Sequence, residues 1–205
     1  GLGDVYKRQK QDILMLKGLT AQYMAKYKGM VYIPEGKFYF GPPDKLELKS
    51  IPGFYIKRTE VSVKEFSEVM GVELSGKQDL PVLVEYDEAV SFCKTVGAAL
   101  PTELQWEKAA RSALKTRFPW GDFIDKDRAN LQSRGLVSVD SFPQGRSPFG
   151  LLNMIGNAWE WTSTKVNGKP VLKGGDYTTP WSQASVWLRL VRFHDKMKAG
   201  FRYVK

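Results

Sequence analysis

The sequence of 205 residues is poor in the side chains that build covalent and soft-metal sites: it has one cysteine, Cys93, and one histidine, His194. A single cysteine excludes an internal disulfide and says little about the redox compartment. A lone histidine is more often a satisfied polar group than a metal ligand, since non-haem iron normally needs two histidines and a carboxylate. The chain therefore cannot build a site of paired thiolates or paired imidazoles by itself.

Long apolar stretches are also missing. No apolar run approaches the ~20 residues that a membrane-spanning helix needs. The sequence begins with Gly1 rather than methionine, so an upstream signal, lipid anchor or fused domain could precede it. We expect no transmembrane segment, and two localisations stay open: periplasmic or secreted with an upstream signal, and cytoplasmic without one.

The apolar content is sufficient for one globular domain. The chain is 42% hydrophobic and 13% aromatic, enough to bury a core at this length without disulfides. Its net charge of +9 is uneven, because residues 165–205 carry nine Lys and Arg against two Asp, whereas residues 30–164 carry sixteen against eighteen acids. A basic surface attracts anionic partners, but no nucleic-acid-binding motif accompanies it, so we expect no nucleic acid partner.

The first part of the chain divides at about residue 30. Residues 1–29 are interpreted as an N-terminal remnant followed by an amphipathic helix from Gln9 to Lys28, with apolar residues mostly at three- and four-residue spacings. From Met30 to Phe40, β-branched and aromatic residues around a Pro-Glu-Gly break predict strand, turn and strand. Short helices are predicted from Ser62 to Met70 and from Asp87 to Val96, each starting near a residue that can cap free N–H groups.

The best-signalled helix begins at Thr102, where Thr102 and Gln105 form a capping box and Pro101 blocks extension backwards. Residues 117–148 contain scattered Pro, Gly and Asp with little periodicity, which predicts irregular backbone that is functional or pinned by other contacts. The clearest strand signal in the tail is Ser185–Arg192. Together these features predict an α+β fold: a single domain with short strands, few helices and much irregular loop.

The densest motif runs from Leu151 to Thr162, where two tryptophans flank Glu160 behind a turn rich in Asn and Gly. Oxygen donors at positions 153, 156, 158 and 160, two of them side chains and two backbone carbonyls, form a set that a hard cation such as calcium collects. The spacing also fits a buried Trp-rich turn in which Glu160 is paired with an arginine. Spacing alone leaves both interpretations open.

Several blocks in register resemble the formylglycine-generating enzyme family, also called the sulfatase-modifying-factor domain. The blocks are the Gly-Asn-X-Trp-Glu-Trp signature at 156–161 and the segments 30–41, 54–61, 100–111, 118–122, 171–177 and 200–202. They define residues 30–205 as a sulfatase-modifying-factor (formylglycine-generating enzyme-like) domain. The resemblance implies a C-type-lectin-like architecture.

The oxidases of this family use two cysteines a few residues apart, just after a Gly-Gly-Ser-aromatic block, to bind copper(I) and convert a substrate cysteine to formylglycine. Soft thiolates suit copper(I), so serine and threonine cannot replace them. Here residues 174–185 contain no cysteine, Asp176 stands where the pattern has serine, and Cys93 lies elsewhere. The resemblance therefore argues against a copper cofactor. A related branch makes the sulfoxide precursor of ergothioneine with histidine-bound iron, which His194 alone does not supply.

Calcium is implied more directly by the resemblance. The family holds one calcium with an Asn side chain, two backbone carbonyls and the Glu of the Trp-Glu-Trp block. The matching residues here are Asn153, Gly156, Ala158 and Glu160. A second family calcium uses an Asn-hydrophobic pair and a later Asp-x-aromatic; Asn130 and Leu131 match its first half, but residues 132–138 contain no acid. We expect structural calcium at the first set, whereas the second set is incomplete.

The last forty residues carry aromatic and basic side chains of the kinds enriched at interface hot spots. The predicted ligand-binding residues are Tyr177, Trp181, Arg189, Arg192 and His194, with Trp187 assigned to the core. The expected ligand is a protein, peptide or glycan of anionic character. Elsewhere, Glu103 and Glu107 lie at the i,i+4 spacing of a solvated or arginine-paired helix face rather than of an acid–base pair.

The leading interpretation is a non-catalytic bacterial member of the family that acts as a calcium-stabilised binding or accessory domain. The alternative is an oxidoreductase of the same family that acts on a protein or thiol substrate through an unrecognised site. A minor alternative is a lectin-like hypervariable receptor.

Overall fold

A computed structural model describes residues 27–192, 194 and 196–205, in which short strands and helices alternate with long irregular segments. The strands are β1 (Met30–Ile33), β2 (Gly36–Phe40), β3 (Glu47–Ile51), β4 (Phe54–Lys57), β5 (Glu160–Val166), β6 (Lys169–Lys173) and β7 (Arg189–Val191). The helices are α1 (Val63–Met70), α2 (Tyr86–Thr95) and α3 (Glu103–Arg111), with single 3₁₀ turns at Pro43–Lys45 and Pro143–Gly145. The predicted α+β class is confirmed.

The helices begin where local capping chemistry predicts. Ser62 Oγ accepts a hydrogen bond from the backbone of Glu65 at the start of α1. Thr102 and Gln105 cap each other's backbone N–H groups at the start of α3, so free donors of the first turn are satisfied. The predicted helix from Gln9 to Lys28 lies outside the described residues, apart from its last two.

The strands form as predicted between Met30 and Phe40, but they do not pair with each other. β1 pairs antiparallel with β4, and β2 pairs antiparallel with β3. The C-terminal residues then lie beside β4, where Tyr55 N donates to Lys205 O (2.8 Å) and Val204 bridges to Ile56 and Ala99. β4 therefore lies between β1 and the C-terminal residues and is joined to both by backbone hydrogen bonds.

The third sheet has the order β5-β6-β7 and carries the Trp-Glu-Trp block on β5. The predicted strand Ser185–Arg192 is wrong in its first half, because only Arg189–Val191 pairs with β6. Leu188 N instead donates to Ser185 O in a turn, and Val186 N donates to Arg117 O on the long loop.

Two hydrophobic clusters form the core, and α3 and β5 connect them. Trp106 of α3 belongs to the first cluster and Trp161 of β5 to the second, and both side chains are fully buried. Their indole N–H groups are satisfied by Glu160 (2.8 Å) and by the carbonyl of Val84 (2.9 Å). Glu160 is thus held at the boundary between the two clusters. In the described part of the chain, no helix has the length and apolarity to cross a membrane.

Candidate functional site

The 151–162 motif forms a buried turn whose backbone requires residues tolerant of positive φ. Asn153 and Asn157 have φ of 52° and 59°, and Gly156 has φ of 75°. Asparagine and glycine reach this left-handed region most easily. A side chain on Gly156 would place its Cβ 2.4 Å from the carbonyl oxygen of Asn130. The turn therefore packs directly on the backbone of the long loop.

The Glu160 carboxylate is bound on both oxygens. Arg202 donates from Nε to Oε2 (2.7 Å) and from Nη2 to Oε1 (2.6 Å), and the indole of Trp106 donates to Oε2. Arg202 also donates to the carbonyls of Arg58 (3.1 Å) and Leu152 (3.0 Å). Such a bidentate, charge-assisted pair is among the strongest polar contacts in proteins. The arginine-paired interpretation of Glu160 is confirmed.

Glu60, which the sequence analysis missed, lies beside this pair and is fully buried. Its carboxylate accepts hydrogen bonds from the side-chain amides of Asn153 (3.1 Å) and Asn157 (2.9 Å). Burial, and after it the charge of Glu160, raise the pKa of Glu60 to about 7, although Arg202 and the two amides oppose the shift. Glu60 therefore lies within the electrostatic influence of Arg202, which pairs with Glu160. The Oδ1 of Asn153 is buried and has no hydrogen-bond partner among the described residues.

The predicted second calcium residues extend the same polar cluster. Asn130 donates to Asn157 Oδ1 (3.0 Å) and to the carbonyl of Gly135 (2.9 Å), and it accepts from Ser133 Oγ. Leu131 is packed in the first hydrophobic cluster. The Asn130 side chain is therefore committed to hydrogen bonds that hold the loop against the motif.

A second buried charge network lies on α3. Glu107 accepts from Lys173 Nζ (2.9 Å), from Arg111 Nη2 (2.7 Å) and from the backbone of Gly41 (2.8 Å). Burial lowers the pKa of Lys173, although Glu107 opposes that shift. Glu103 continues the network to Arg189 at 3.1 Å. The arginine-paired interpretation of this helix face is confirmed, and the solvated interpretation is wrong because both glutamates are buried.

Comparison with known proteins decides the family. The Sulfatase-modifying factor enzyme 1-like domain matches residues 17–205. The chain belongs to this family.

Of two curated relatives, one is named as an enzyme and the other as an inactive enzyme. Formylglycine-generating enzyme from Bos taurus is 39% identical over 105 residues, which cover 42% of this chain and 28% of that protein. Inactive C-alpha-formylglycine-generating enzyme 2 from Mus musculus is 36% identical over 109 residues, 46% of this chain and 35% of that protein. The chain therefore spans only about a third of the length of these relatives.

Solved structures share the fold at low identity. PvdO from Pseudomonas aeruginosa superposes with a TM-score of 0.70 at 20% identity, covering 85% of this chain and 93% of that chain. Treponema denticola variable protein 1 gives a TM-score of 0.72 at 18% identity, covering 85% and 94%. The expected fold of the formylglycine-generating enzyme type, C-type-lectin-like, is confirmed.

In this member of the family, the segment 174–185 is tightly held. Asp176 Oδ1 accepts from the backbone of Thr178 (2.9 Å), and Asp176 N donates to Thr179 Oγ1 (2.9 Å). Arg117 donates to the carbonyls of Trp181, Ser182 and Ala184 at 2.7–3.0 Å. Cys93 lies in the second hydrophobic cluster, where burial raises the pKa of its thiol to about 12. Thiolate chemistry at that residue is suppressed at neutral pH.

The predicted ligand-binding residues do not form one exposed patch. Trp181 is 6% exposed and packs edge-on against Phe118 in the first cluster, with ring centroids 6.1 Å apart. Trp187 is only partly buried and lies 5.6 Å from the Arg111 guanidinium. The assignment of Trp181 as an exposed ring is therefore wrong, whereas Trp187, which the sequence assigns to the core, is partly buried and packs against the first cluster. The alternating pattern of residues 185–192 predicts a strand, but Ser185 and Leu188 belong to a turn. Alternation therefore does not separate buried from exposed rings in this segment.

The other predicted ligand residues are more accessible. Tyr177 and Arg192 are half-buried, and His194 and Arg189 are exposed, although Arg189 is paired with Glu103. A ligand-binding role for these four residues stays a prediction. Calcium binding at Asn153, Gly156, Ala158 and Glu160 also stays a prediction.

Trp181→Ala is expected to lower the free energy of unfolding by about 3–5 kcal/mol, because it empties a core site. Trp187→Ala, which removes a half-exposed ring, is the matched control and should cost clearly less. Urea denaturation followed by circular dichroism measures both. An equal or larger loss for Trp187→Ala would contradict the burial described above.

Glu60 predicts a pH dependence of stability in metal-free buffer. Its pKa of about 7 exceeds the ordinary value of 4.5, so the folded state binds the proton more tightly. The resulting stabilisation is complete below pH ~4.5 and is lost as pH rises through ~7, on the order of 3 kcal/mol in total. Unfolding free energies measured with EDTA from pH 4 to 8 should show this decline, and Glu60→Gln should flatten it. An identical decline in the variant would assign it to other groups.

Proposed function

We propose that this domain is a non-catalytic member of the sulfatase-modifying-factor family that acts as a binding or accessory domain. The segment 174–185 carries the proposal. It contains no cysteine, and three of its backbone carbonyls, those of Trp181, Ser182 and Ala184, accept hydrogen bonds from Arg117. The thiol of Cys93 lies in the other hydrophobic cluster with a raised pKa. The family domain matches residues 17–205, whereas the soft ligands that copper(I) needs do not occur in this segment.

Incubation with a peptide that contains Cys-x-Pro-x-Arg, with and without copper(I), tests this proposal. We expect the substrate cysteine to stay intact in both arms when the peptide is analysed by mass spectrometry. An active formylglycine-generating enzyme serves as the positive control for the copper(I) arm. Replacement of the substrate thiol by an aldehyde oxygen would overturn the proposal and favour an oxidoreductase with a different site.

We also propose that calcium stabilises the domain at Asn153, Gly156, Ala158 and Glu160. The unpartnered, buried Oδ1 of Asn153 and the excess of carboxylates over guanidinium groups near it support a cation there. The fit is partial, because both Glu160 oxygens are already bound by Arg202 and Trp106. Calcium at this set would therefore share a Glu160 oxygen with Arg202 or Trp106, and the Glu60 carboxylate would lie on its Asn153 side.

EDTA should lower the melting temperature if calcium is bound. A ligand specific for the folded state stabilises it by ~2.7 kcal/mol at a hundredfold excess over its dissociation constant. The readout is the difference between calcium and EDTA for each protein, because Glu160→Gln also weakens the pair with Arg202. That variant should abolish the difference. Unchanged melting after chelation, with no calcium found by elemental analysis, would leave Glu160 as an ion-pair residue only.

A further inference from the structure

A concave surface lies on the irregular loops that follow α3. It encloses a cleft of about 370 Å³, within the range of sites that hold small ligands or side chains. The residues that matter for its chemistry are Leu114, Thr116, Trp120, Arg128, Gln144 and Arg146. The cleft is not lined by Glu60, by Glu160 or by the predicted ligand residues of the C-terminal tail.

The aromatic wall of the cleft is rigid. The Trp120 ring stacks on Phe118 with centroids 5.3 Å apart and an interplanar angle of 10°. Phe118 is fully buried in the first hydrophobic cluster, and the indole Nε1 of Trp120 donates to the carbonyl of Phe123 (3.1 Å). A ring fixed in this way can be contacted with little loss of side-chain entropy.

Two arginines are brought to the cleft by one close backbone contact. A Cβ on Gly145 would lie 1.7 Å from the carbonyl oxygen of Arg128, so only glycine permits the two loops to touch. Arg128 Nη1 donates to the carbonyl of Gln144 (2.7 Å) and its Nε donates to Asp125 (2.7 Å). Arg146 is exposed and forms no ion pair with the described residues. The cleft therefore has one positioned and one uncompensated guanidinium.

A buried polar atom and an apolar rim complete the surface. Thr116 Oγ1 is buried and has no hydrogen-bond partner in the described part of the protein, although buried hydroxyl groups are normally satisfied. Leu114 (36% exposed) lines the cleft, and Phe123 (55% exposed) lies beside it. Phe123 is tied to the lining because its ring lies 3.4 Å from the Cβ position of Gly121 and 5.6 Å from the Arg128 guanidinium.

We propose that this cleft binds a peptide segment in which carboxylate side chains alternate with large apolar side chains. The carboxylates complement Arg146, which is unpaired among the described residues, next to Arg128, which Asp125 and Gln144 hold in place. The apolar side chains cover Phe123 and Leu114 beside Trp120. An acidic saccharide would satisfy the arginines but leave the apolar rim in water, which disfavours it. The inference rests on the proposed binding role and supplies its ligand class and location.

The test follows the indole N–H resonance of Trp120, one of six tryptophans, in ¹H–¹⁵N correlation spectra. Trp120→Phe assigns that resonance. The probe is the acetylated pentapeptide amide Glu-Phe-Asp-Leu-Glu, and Lys-Phe-Lys-Leu-Lys is the charge-reversed control. We expect a saturable shift with the acidic peptide only. Arg146→Gln should weaken its binding about tenfold, since hydrogen bonds to charged groups are worth roughly 1.5–3 kcal/mol.

Arg134→Gln is the matched control, because Arg134 is an exposed arginine of the same loop that does not line the cleft. The affinity of this variant for the acidic peptide should stay within a factor of about two of the unsubstituted protein, because Arg134 acts on the cleft only at long range. Three results would overturn the proposal: no shift at ~1 mM acidic peptide, equal losses in the two arginine variants, or tighter binding of oligogalacturonate than of the peptide. None of these depends on the formylglycine assay, so the non-catalytic role can stand if the peptide site fails.

Discussion

The Arg202–Glu160 pair connects parts of the domain that are distant in sequence. Through it, the C-terminal segment contacts β5, α3 by way of Trp106, the backbone after β4 at Arg58, and the motif turn at Leu152. Both charges are removed from water, so loss of either partner leaves an uncompensated charge, which typically costs about 3–5 kcal/mol. Glu60 lies next to this pair. Trp106 of the first hydrophobic cluster donates a hydrogen bond to Glu160, and Trp161, the next residue on β5, belongs to the second cluster.

The turn of the 151–162 motif holds the long irregular loop, residues 117–148, in place. Asn157 N donates to the Asn130 carbonyl (2.9 Å), and Asn157 Oδ1 accepts from Val137 N (3.0 Å). Buried amides thus replace the regular ladders that the loop lacks, which satisfies its backbone without secondary structure. The same loop carries Arg128, whose backbone touches Gly145 at the cleft. A segment that is irregular in its hydrogen-bond pattern is therefore fixed in position.

The features predicted correctly from sequence are those set by neighbours along the chain. The helix starts at Ser62 and Thr102 follow from side chains three residues apart, whereas the spacing around Glu160 left both an arginine partner and a calcium ion open. Three features were not predictable in this way: the partner strand of β1, the burial of Glu107, and the deeper burial of Trp181 relative to Trp187. Each depends on segments that arrive from elsewhere, such as the β2–β3 hairpin, whose Gly41 binds Glu107. Glu60 carried no spacing signal at all.

The buried charges also bear on what the surface can recognise. Among the described residues, the buried acids are Glu60, Glu103, Glu107 and Glu160, and the buried bases are Lys108, Arg111, Lys173 and Arg202. Their formal charges cancel, so the net positive charge of the described residues lies outside the core. Most acids of the core pair with buried bases, and Glu103 alone among those described reaches an exposed base, Arg189. Long-range attraction then favours anionic partners at every basic face, and specificity must come from rigid apolar contacts beside the charges. Trp120, which is fixed on Phe118 next to Arg128 and Arg146, supplies that combination.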